Sequence, residues 1–498
     1  MSLKGYLPAF LLLIALTSTA CNTGLLNGGD PEPVISQATP TPAPLVVDGV
    51  RTSYADVVER TASAVVRIDA EHRNRPQVRQ QQEPRSPLDE FFRQFPGPQG
   101  PQSQQRPPIE RGMGSGVLVS ADGTILTNAH VIDGAEKITV VLNDNKSYEA
   151  KLVGSDKPSD LAVLKIEAQN MPFLTLGNSD SVRVGDIVLA IGNPLGIGQT
   201  VTAGIISAKG RRTGLSDGSF EDFLQTDAPI NRGNSGGALV SLNAELIGIN
   251  SQILSTSGGN IGIAFSIPSN MAKSVMEQLL ANGRVRRGML GVNIQNITGD
   301  MAKALELPDA AGVIVSNVRP GSAADKAGVK VKDIITAING EKIDDGNVLR
   351  NKIAGTLPGT TINLTVLRDG SQQDLSATLD EFDTETASSN APGDNENSPN
   401  TQAPGGKLGL TLQPITPQLS KQFGTGTETQ GLVVMDVDQA GVAAEAGISR
   451  GDILLEVNRQ PASSVEVVES ALQAAGSRPL LLLVSRKGTT TFLTVRTS

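Results

Sequence analysis

The sequence predicts a mainly β fold, in which two packed β-barrels are followed by two copies of a smaller domain. From Gly114 to Ile267, short β-branched and apolar runs alternate with turn residues, which is the pattern of barrel-forming strands. Farther along, the segment that begins at Gly312 is repeated from Gly431, a shift of 119 residues (431 minus 312). The 498 residues also include 53 glycines, which suits a fold with many tight turns.

The charge balance and the side-chain inventory exclude some classes of function. Acidic residues outnumber basic ones, 51 to 42, and the net charge of −9 argues against a nucleic-acid-binding protein, which is usually basic. The chain has only two histidines and one cysteine, too few for the common zinc sites. We therefore expect no metal and no cofactor.

The first 20 residues have the pattern of a secretory signal peptide rather than of a folded segment. Lys4 is followed by the apolar run Tyr6–Leu16 and then by the small residues Thr17–Ala20. The apolar run is too short to span a bilayer, which needs about 20 residues. The sequence therefore predicts an exported protein.

Cys21 would become the new N-terminus if the signal were cleaved after Ala20. A cysteine at this position resembles a bacterial lipoprotein signal, in which it carries the lipid. Ser18 departs from the leucine that such signals prefer, and Ser18-x-Ala20 also fits an ordinary cleavage site, so a free thiol is the alternative. Residues 21–50, rich in Gly, Pro, Thr and Asn, are predicted to form a flexible tether.

The folded part is predicted to begin near Thr52, with a short capped helix at Ser53–Arg60 and a first strand at Ala64–Ile68. A long Gln-, Pro- and Arg-rich loop, residues 71–111, then interrupts the domain. Its amphipathic island, Leu88–Phe95, contains three phenylalanines and suggests docking on another surface. The alternative is a disordered loop with a local apolar cluster.

The segment Gln225–Leu239 carries the strongest chemical signal. It reads QTDAPINRGNSGGAL, with Ser235 on a glycine-rich turn between two apolar runs. Such a turn can aim successive N–H groups at one point, where they could stabilise an oxyanion. Ser235 could act as a nucleophile only if a base accepts its proton; otherwise the segment is an ordinary turn.

The base must be one of the two histidines. His72 lies in a polar stretch and reads as a solvated loop residue, whereas His130 follows a predicted hairpin. Without Ser235, a structural histidine at a strand end would be the better interpretation of His130. Asp160, at the mouth of a predicted strand, is the leading candidate to orient the imidazole, while Asp156 could be a turn acid.

Three motifs in this order, TNAHVI, SDLAVLKI and TDAPINRGNSGGALV, resemble the HtrA family of serine proteases. The resemblance runs from about Val46 to the C-terminus and implies a chymotrypsin-like double β-barrel. It implies His130 as the general base, Asp160 as its orienting carboxylate and Ser235 as the nucleophile. It also implies an oxyanion hole formed by the N–H groups of Gly233 and Ser235, with Asn234 between them.

The same resemblance implies a specificity pocket and an assembly. The loop with Ile261, Gly262 and Ile263 would line the pocket for the substrate residue before the cut and favour small aliphatic side chains, although Ile263 could equally belong to the core. The N-terminal helix would join three protomers into a homotrimer, and multiples of trimers could form. The loop 71–111 would reach a neighbouring subunit's active site.

A helix at Pro268–Asn282, stopped by Gly283, closes the protease domain, which is predicted as residues 51–283. A basic linker, Arg284–Arg287, follows it. The two copies of the repeat, 284–382 and 407–498, resemble PDZ domains and flank a polar linker, 383–406. A PDZ groove adds a peptide as a strand to a sheet edge and holds its terminal carboxylate on a turn of N–H groups. In the first copy the matching turn is Met289, Leu290, Gly291 and Val292. In the second it is Lys407–Leu410, which could bind peptides or serve assembly.

Taken together, the sequence predicts an exported, periplasmic serine endopeptidase that degrades unfolded or misfolded proteins. Its first PDZ-like domain would hold their C-terminal segments near the active site. The alternative from another class is a chaperone or peptide-binding scaffold with weak or stress-gated proteolysis. A regulatory protease with one signalling substrate fits less well, because the chain has two repeats and no predicted spanning helix.

Overall fold

A computed structural model describes residues 46–47, 50–73, 109–194, 198–213, 219–255, 259–382, 408–422, 430–476 and 478–496. The predicted signal peptide, Cys21, most of the tether, most of the loop 71–111 with its island, Lys407 and the linker 383–406 lie outside these ranges. The chain divides into two compact units, residues 1–53 and 54–498. In the first unit the described residues form a short hairpin of β1 (Val46–Val47) and β2 (Val50–Arg51).

Two closed six-stranded barrels open the second unit, which confirms the predicted double barrel. The first, ordered β3-β4-β5-β8-β7-β6, comprises β3 (Val65–Arg73), β4 (Ile109–Leu118), β5 (Thr124–Thr127), β6 (Lys137–Val141), β7 (Ser147–Asp156) and β8 (Leu161–Ile166). The second, ordered β10-β11-β14-β13-β12-β9, comprises β9 (Ile187–Gly192), β10 (Thr200–Arg211), β11 (Phe223–Thr226), β12 (Ala238–Ser241), β13 (Leu246–Ile253) and β14 (Ala264–Pro268). The apolar runs that predicted these strands supply both barrel cores.

Among the described residues, three α-helices accompany the barrels: α1 (Ala55–Thr61), the single turn α2 (Ala129–Ile132) and α3 (Ser269–Asn282). Helix α1 begins two residues later than predicted, and the expected side-chain cap is wrong because Tyr54 at its N-cap makes no such bond. Helix α3 ends as predicted at Gly283, whose φ of 68° is the left-handed conformation that glycine tolerates.

The prediction of a solvated loop around His72 is wrong. Strand β3 continues to Arg73, and β4 begins at Ile109, so both ends of the predicted loop are strand. The polar composition misled because β3 pairs on both sides, with β4 and with β6, and its register sets Glu71 opposite Lys137. His72 is therefore a partly buried strand residue.

The two repeats form two similar sheets. The first contains β16 (Val292–Asn296), β17 (Val313–Val318), β18 (Ile334–Ile338), β19 (Glu341–Lys342), β20 (Thr361–Arg368) and β21 (Ser371–Thr378), beside the short pair β15 (Gly288–Met289) and β22 (Asp380–Glu381). The second contains β23 (Leu410–Pro414), β24 (Leu432–Val437), β25 (Ile453–Val457), β26 (Gln460–Pro461), β27 (Leu480–Arg486) and β28 (Thr489–Val495). Their helices are α4 (Gly299–Ala304), α5 (Ala323–Lys326), α6 (Gly346–Gly355), α7 (Pro417–Gln422), α8 (Val442–Glu445) and α9 (Val465–Ala475).

An ion pair inside each sheet supports the reading of these domains as copies. Arg368 binds buried Asp333 with two hydrogen bonds of 2.7 and 2.6 Å, and Arg486 binds buried Asp452 with two of 2.7 Å. Each arginine also donates to a glycine carbonyl, at Gly328 or Gly447. Equivalent charges therefore close equivalent loops in the two copies.

The basic linker Arg284–Arg287 is not a free tether. Its last residue, Arg287, is buried and donates two hydrogen bonds, of 2.7 and 2.5 Å, to Asp156 at the end of β7. Its guanidinium also lies over the ring of Phe220, 4.6 Å from the centroid. This contact fixes the start of the first repeat domain against the first barrel.

The two repeat domains also contact each other through an apolar cluster. Met301 and Leu305 of the first domain pack with Leu483 and Phe492 of the second. The Gln295 side chain donates to the Phe492 carbonyl at 3.2 Å and accepts from its N–H at 2.6 Å. Buried apolar area with paired polar groups stabilises such a contact.

Candidate active site

The structure brings His130 and Asp160 together in the first barrel. His130 lies on the one-turn helix α2, directly after β5, and Asp160 immediately precedes β8, the strand that pairs with β5. Nδ1 of His130 is 2.9 Å from both carboxylate oxygens of Asp160. The His130 backbone N–H donates to the same carboxylate at 3.0 Å, so Asp160 fixes both the ring and its main chain.

Asp160 holds an uncommon backbone conformation, with φ of 54°. Asp and Asn tolerate this left-handed region better than most residues. Its carbonyl accepts hydrogen bonds from the Ala129 N–H at 3.2 Å and from the Asn128 side chain at 3.0 Å. These hydrogen bonds hold the backbone of Asp160 in this conformation, which points its carboxylate at the imidazole.

The neighbouring carboxylate changes the acidity of the imidazole. Burial lowers the pKa of His130, but the negative charge of Asp160 and its hydrogen bond raise it by more. The pKa of His130 therefore lies above the usual value for histidine.

Ser235 comes from the second barrel and is connected to this pair through Ser251 on β13. The Ser235 hydroxyl donates to the Ser251 carbonyl at 2.9 Å, and the Ser251 hydroxyl donates to the Asp160 carboxylate at 2.9 Å. Hydrogen bonds therefore link the three residues predicted from the sequence across the two barrels, with Ser251 between two of them.

The turn around Ser235 requires glycine on both sides of the serine. Gly236 has φ of 83°, and a Cβ there would lie 2.1 Å from the Ser115 carbonyl oxygen. Gly233 has φ of 98°. Among the described residues, the N–H groups of Gly233 and Ser235 have no protein acceptor. Both N–H groups are therefore available to an oxyanion.

Asn234, between these donors, is almost fully buried, and its side-chain carbonyl oxygen has no partner among the described residues. A Cβ on Gly192 would lie 2.4 Å from that oxygen. Asn234 thus packs into the base of the turn, while its backbone carbonyl accepts from the Gly237 N–H at 2.9 Å.

Sequence reasoning missed Ser251, Ser115 and Asn128, although Asn128 lies inside a quoted motif. Serine is common in this chain, and nothing local distinguishes Ser251 or Ser115 from other strand serines. The competing candidate Asp156 accepts from the Ser159 N–H and binds Arg287, so it caps a turn and pairs across domains. Of these two carboxylates, Asp160 is the one that contacts His130.

The predicted specificity loop lies beside the serine turn. Asn260 ties it to the segment before Ser235, with its backbone N–H donating to Asn231 at 3.3 Å and its side chain to the Ile230 carbonyl at 3.1 Å. Ile261 is 57% exposed, whereas Ile263 packs partly buried against the barrel core. A Cβ on Gly262 would meet no atom within 4 Å, so the space beside this residue is open.

In the first repeat domain, Met289, Leu290, Gly291 and Val292 lead into β16, an edge strand of its sheet. In the described ranges the N–H groups of Leu290 and Gly291 have no protein acceptor, while both carbonyls accept bonds from the α5 region. Helix α6 lies close to β16, since a Cβ on Gly346 would be 3.1 Å from the Ile294 side chain. An edge strand beside a helix, with N–H groups at one end that have no acceptor among the described residues, is the arrangement that sheet-edge peptide recognition requires.

No cluster of three His, Cys, Asp or Glu side chains suited to a metal occurs in the part of the chain that the structure describes. Among the described helices, none has the length and apolar content needed to cross a membrane.

Comparison with protein families matches three regions. A trypsin-like peptidase domain matches residues 114–249, and PDZ domains match residues 288–379 and 433–486. The first match contains His130, Asp160 and Ser235, and the second contains the turn at Met289–Val292.

The chain is also similar to curated bacterial proteins. A probable periplasmic serine endoprotease, DegP-like, of Chlamydia trachomatis is 42% identical over 409 residues, which is 82% of this chain and 79% of the relative. The periplasmic pH-dependent serine endoprotease DegQ of Escherichia coli is 42% identical over 393 residues, 78% of this chain and 81% of that protein. Among solved structures, the HtrA-type protease AlgW with a tripeptide aligns with a TM-score of 0.54 and 42% identity, over 67% of this chain and 98% of that chain.

Proposed function

Since the chain belongs to the HtrA family of serine endoproteases, in its DegP/DegQ-like branch, we propose that Ser235, His130 and Asp160 are its catalytic triad. The observation that carries this proposal is the 2.9 Å pair of His130 and Asp160, joined to Ser235 through Ser251. A serine endopeptidase needs a nucleophile, a base and an orienting group, and these side chains supply one of each.

In the proposed reaction, the Ser235 hydroxyl attacks the scissile carbonyl while Nε2 of His130 accepts its proton. Asp160 holds the imidazole through Nδ1 and stabilises the imidazolium that forms. His130 then returns the proton to the leaving amine, and water repeats the sequence on the acyl-enzyme.

Before attack, the Ser235 hydroxyl must turn from the Ser251 carbonyl toward His130. This is a rotation about one side-chain bond, and catalytic hydrogen bonds commonly tighten only when substrate binds. The backbone N–H groups of Gly233 and Ser235 would hold the tetrahedral oxyanion.

The pH dependence of kcat/KM is expected to show its acid limb above the usual pKa of histidine. Only neutral His130 can accept the Ser235 proton, and its pKa is raised. Below this pKa, kcat/KM for a short peptide should fall about tenfold per pH unit. Because the folded state binds this proton more tightly than the unfolded chain does, protonation of His130 favours the fold, so the loss is not unfolding.

The measurement is kcat/KM against pH, with circular dichroism recorded at every pH to verify that the protein is folded. An acid limb centred below the usual histidine value would contradict the proposed pairing of His130 with Asp160.

A serine-directed reagent tests the function itself. A fluorophosphonate is expected to react with one residue per chain, Ser235, and to stop cleavage of a permanently unfolded polypeptide in proportion to labelling. Peptide mapping by mass spectrometry identifies the labelled residue, and the heat-denatured protein serves as the unreactive control. Label on another residue, or full cleavage after complete labelling, would refute the proposal.

For the substrates, we propose unfolded or misfolded proteins, cut after small aliphatic residues that enter beside Ile261, Gly262 and Ile263. Support comes from the open loop at Gly262, next to the serine turn.

The protease domain is proposed as residues 51–283 and the two PDZ domains as 284–382 and 407–498. No structural observation favours a scaffold without proteolysis as a second function.

The turn Met289–Val292 is proposed to hold the C-terminal carboxylate of a substrate segment, with the peptide added to the edge of β16. Support comes from the N–H groups of Leu290 and Gly291, which have no acceptor in the part of the chain that the structure describes. Titration with a labelled peptide and with its C-terminal amide compares the two ends directly. Equal affinity for both peptides would count against a carboxylate-binding turn.

We also propose a cellular compartment, an oligomeric state and a lipid anchor. The relatives are named as periplasmic proteins, and we propose the periplasm for this chain also. A homotrimer, or a multiple of it, is proposed from the resemblance to the HtrA family, and lipid on Cys21 from the signal-like segment before it. Analytical ultracentrifugation tests the first, and the mass of the mature N-terminus tests the second.

A further inference from the structure

A fully buried serine of the first barrel reaches the serine turn of the second. Ser115 lies on β4 and has no exposed surface. Its hydroxyl donates to the Gly233 carbonyl at 2.6 Å and accepts from the Asn193 N–H at 2.8 Å. One hydroxyl thus satisfies two buried backbone groups from two different loops of the other barrel.

The backbone of Ser115 adds two contacts on the other side of the nucleophile. Its N–H donates to the Ser235 carbonyl at 2.8 Å. Its carbonyl accepts from the Thr127 hydroxyl at 2.7 Å and lies against Gly236. Ser115 therefore holds the turn both before and after Ser235.

We infer that Ser115 is a positioning residue, whose hydroxyl sets the orientation of the oxyanion-binding N–H groups. The inference rests on the proposed role of Ser235. Gly233 has no side chain and a φ of 98°, so its torsions are restrained only by hydrogen bonds. The peptide after Gly233 is held at both ends, its carbonyl by Ser115 and its Asn234 N–H by the Asn231 carbonyl at 3.0 Å.

Loss of the hydroxyl would leave the Gly233 carbonyl and the Asn193 N–H buried without a partner. A buried polar group without a hydrogen bond is costly, so the turn would rotate to find one. That rotation would move the Gly233 N–H away from the oxyanion, which is bound only in the transition state. The effect is therefore expected in kcat rather than in KM.

The test compares Ser115→Ala with Ser115→Cys, whose thiol is somewhat larger than the hydroxyl and donates only weakly. Ser269→Ala is the matched control, because Ser269 is another buried serine whose hydroxyl donates to a distant carbonyl, that of Gly177, at 2.7 Å. For a short peptide, Ser115→Ala should lower kcat about 10- to 100-fold with KM changed less than about threefold. Affinity for a peptide boronate, which forms a tetrahedral adduct, should fall by the same factor.

Each outcome has a defined meaning when Ser235→Ala is assayed in parallel. If Ser235→Ala is inactive while Ser115→Ala keeps the parent kcat, the inference is overturned and the proposed function stands. If Ser235→Ala still cuts, the proposed function fails first. If Ser115→Ala does not fold, Ser115→Cys decides: parental kcat and boronate affinity overturn the inference, and a selective loss of both supports it. A loss equal to that of Ser269→Ala would make Ser115 merely structural.

Discussion

Replacing Ser235 with alanine is expected to lower kcat/KM for an unfolded polypeptide by about 10⁴- to 10⁶-fold. Alanine removes the oxygen that attacks the scissile carbonyl, so the acyl-enzyme cannot form. The residual rate would come from peptide binding and from the N–H groups of Gly233 and Ser235, which belong to the backbone and are retained.

The same substitution should leave the fold almost unchanged. The Ser235 hydroxyl is partly buried, and its hydrogen bond to the Ser251 carbonyl contributes about 1 kcal/mol. A thermal melt of Ser235→Ala should therefore lie within a few degrees of the parent.

The measurement is cleavage of the polypeptide by the parent and by Ser235→Ala, side by side over a range of temperatures. Ser269→Ala, which removes a hydroxyl that donates to the Gly177 carbonyl and not to the proposed triad, should cut at close to the parent rate. If the parent and Ser235→Ala cut equally, Ser235 is a structural turn serine and the nucleophile is elsewhere. If neither cuts but both suppress aggregation, the scaffold alternative moves ahead.

The three proposed triad members were predictable because each has a local signal. Ser235 lies in a glycine-rich turn, and the chain offers only two histidines, of which one follows a hairpin. The choice of Asp160 over Asp156 was harder, since both lie in the short stretch Asp156–Asp160. What separates them is Arg287, which is 131 residues from Asp156 in the sequence and binds it only in the folded chain.

The supporting residues were not predictable, because their roles depend on the meeting of two barrels. Ser251 contacts Asp160 across 91 residues, and Ser115 contacts Gly233 across 118. Neither has a distinctive neighbour in the sequence. The prediction of a loop around His72 failed for a related reason. The pairing of β3 with strands on both sides outweighed a composition typical of loops.

The second large effect is expected for Asp160→Asn, which should lower kcat/KM by about 10⁴-fold. The carboxylate accepts hydrogen bonds from the His130 ring, the His130 N–H and the Ser251 hydroxyl. An amide has only one oxygen, so its NH₂ group must face one of these donors. The imidazole then loses its fixed tautomer, with Nε2 no longer free to accept the Ser235 proton.

Asparagine keeps the shape of the side chain and tolerates the φ of 54°, so Asp160→Asn is expected to fold. Removing the carboxylate also removes the charge that raises the pKa of His130. The residual activity should therefore have its acid limb at a lower pH than the parent, while its plateau stays low. A lower plateau of kcat/KM together with a lower pKa of His130 is specific to an orienting carboxylate. A variant that was only partly folded would lose activity without a shift of the acid limb.

Asp133→Asn is the matched control, because it removes the same charge from an exposed aspartate that pairs with Lys157. Its kcat/KM and its acid limb should equal those of the parent, since an exposed ion pair is worth little and Asp133 is not among the groups that shift the pKa of His130. A loss of less than about tenfold in Asp160→Asn would remove Asp160 from the proposed triad, given the loss of about 10⁴-fold that this change causes in such enzymes. His130 would then need another partner, and the short contact at Nδ1 would be structural.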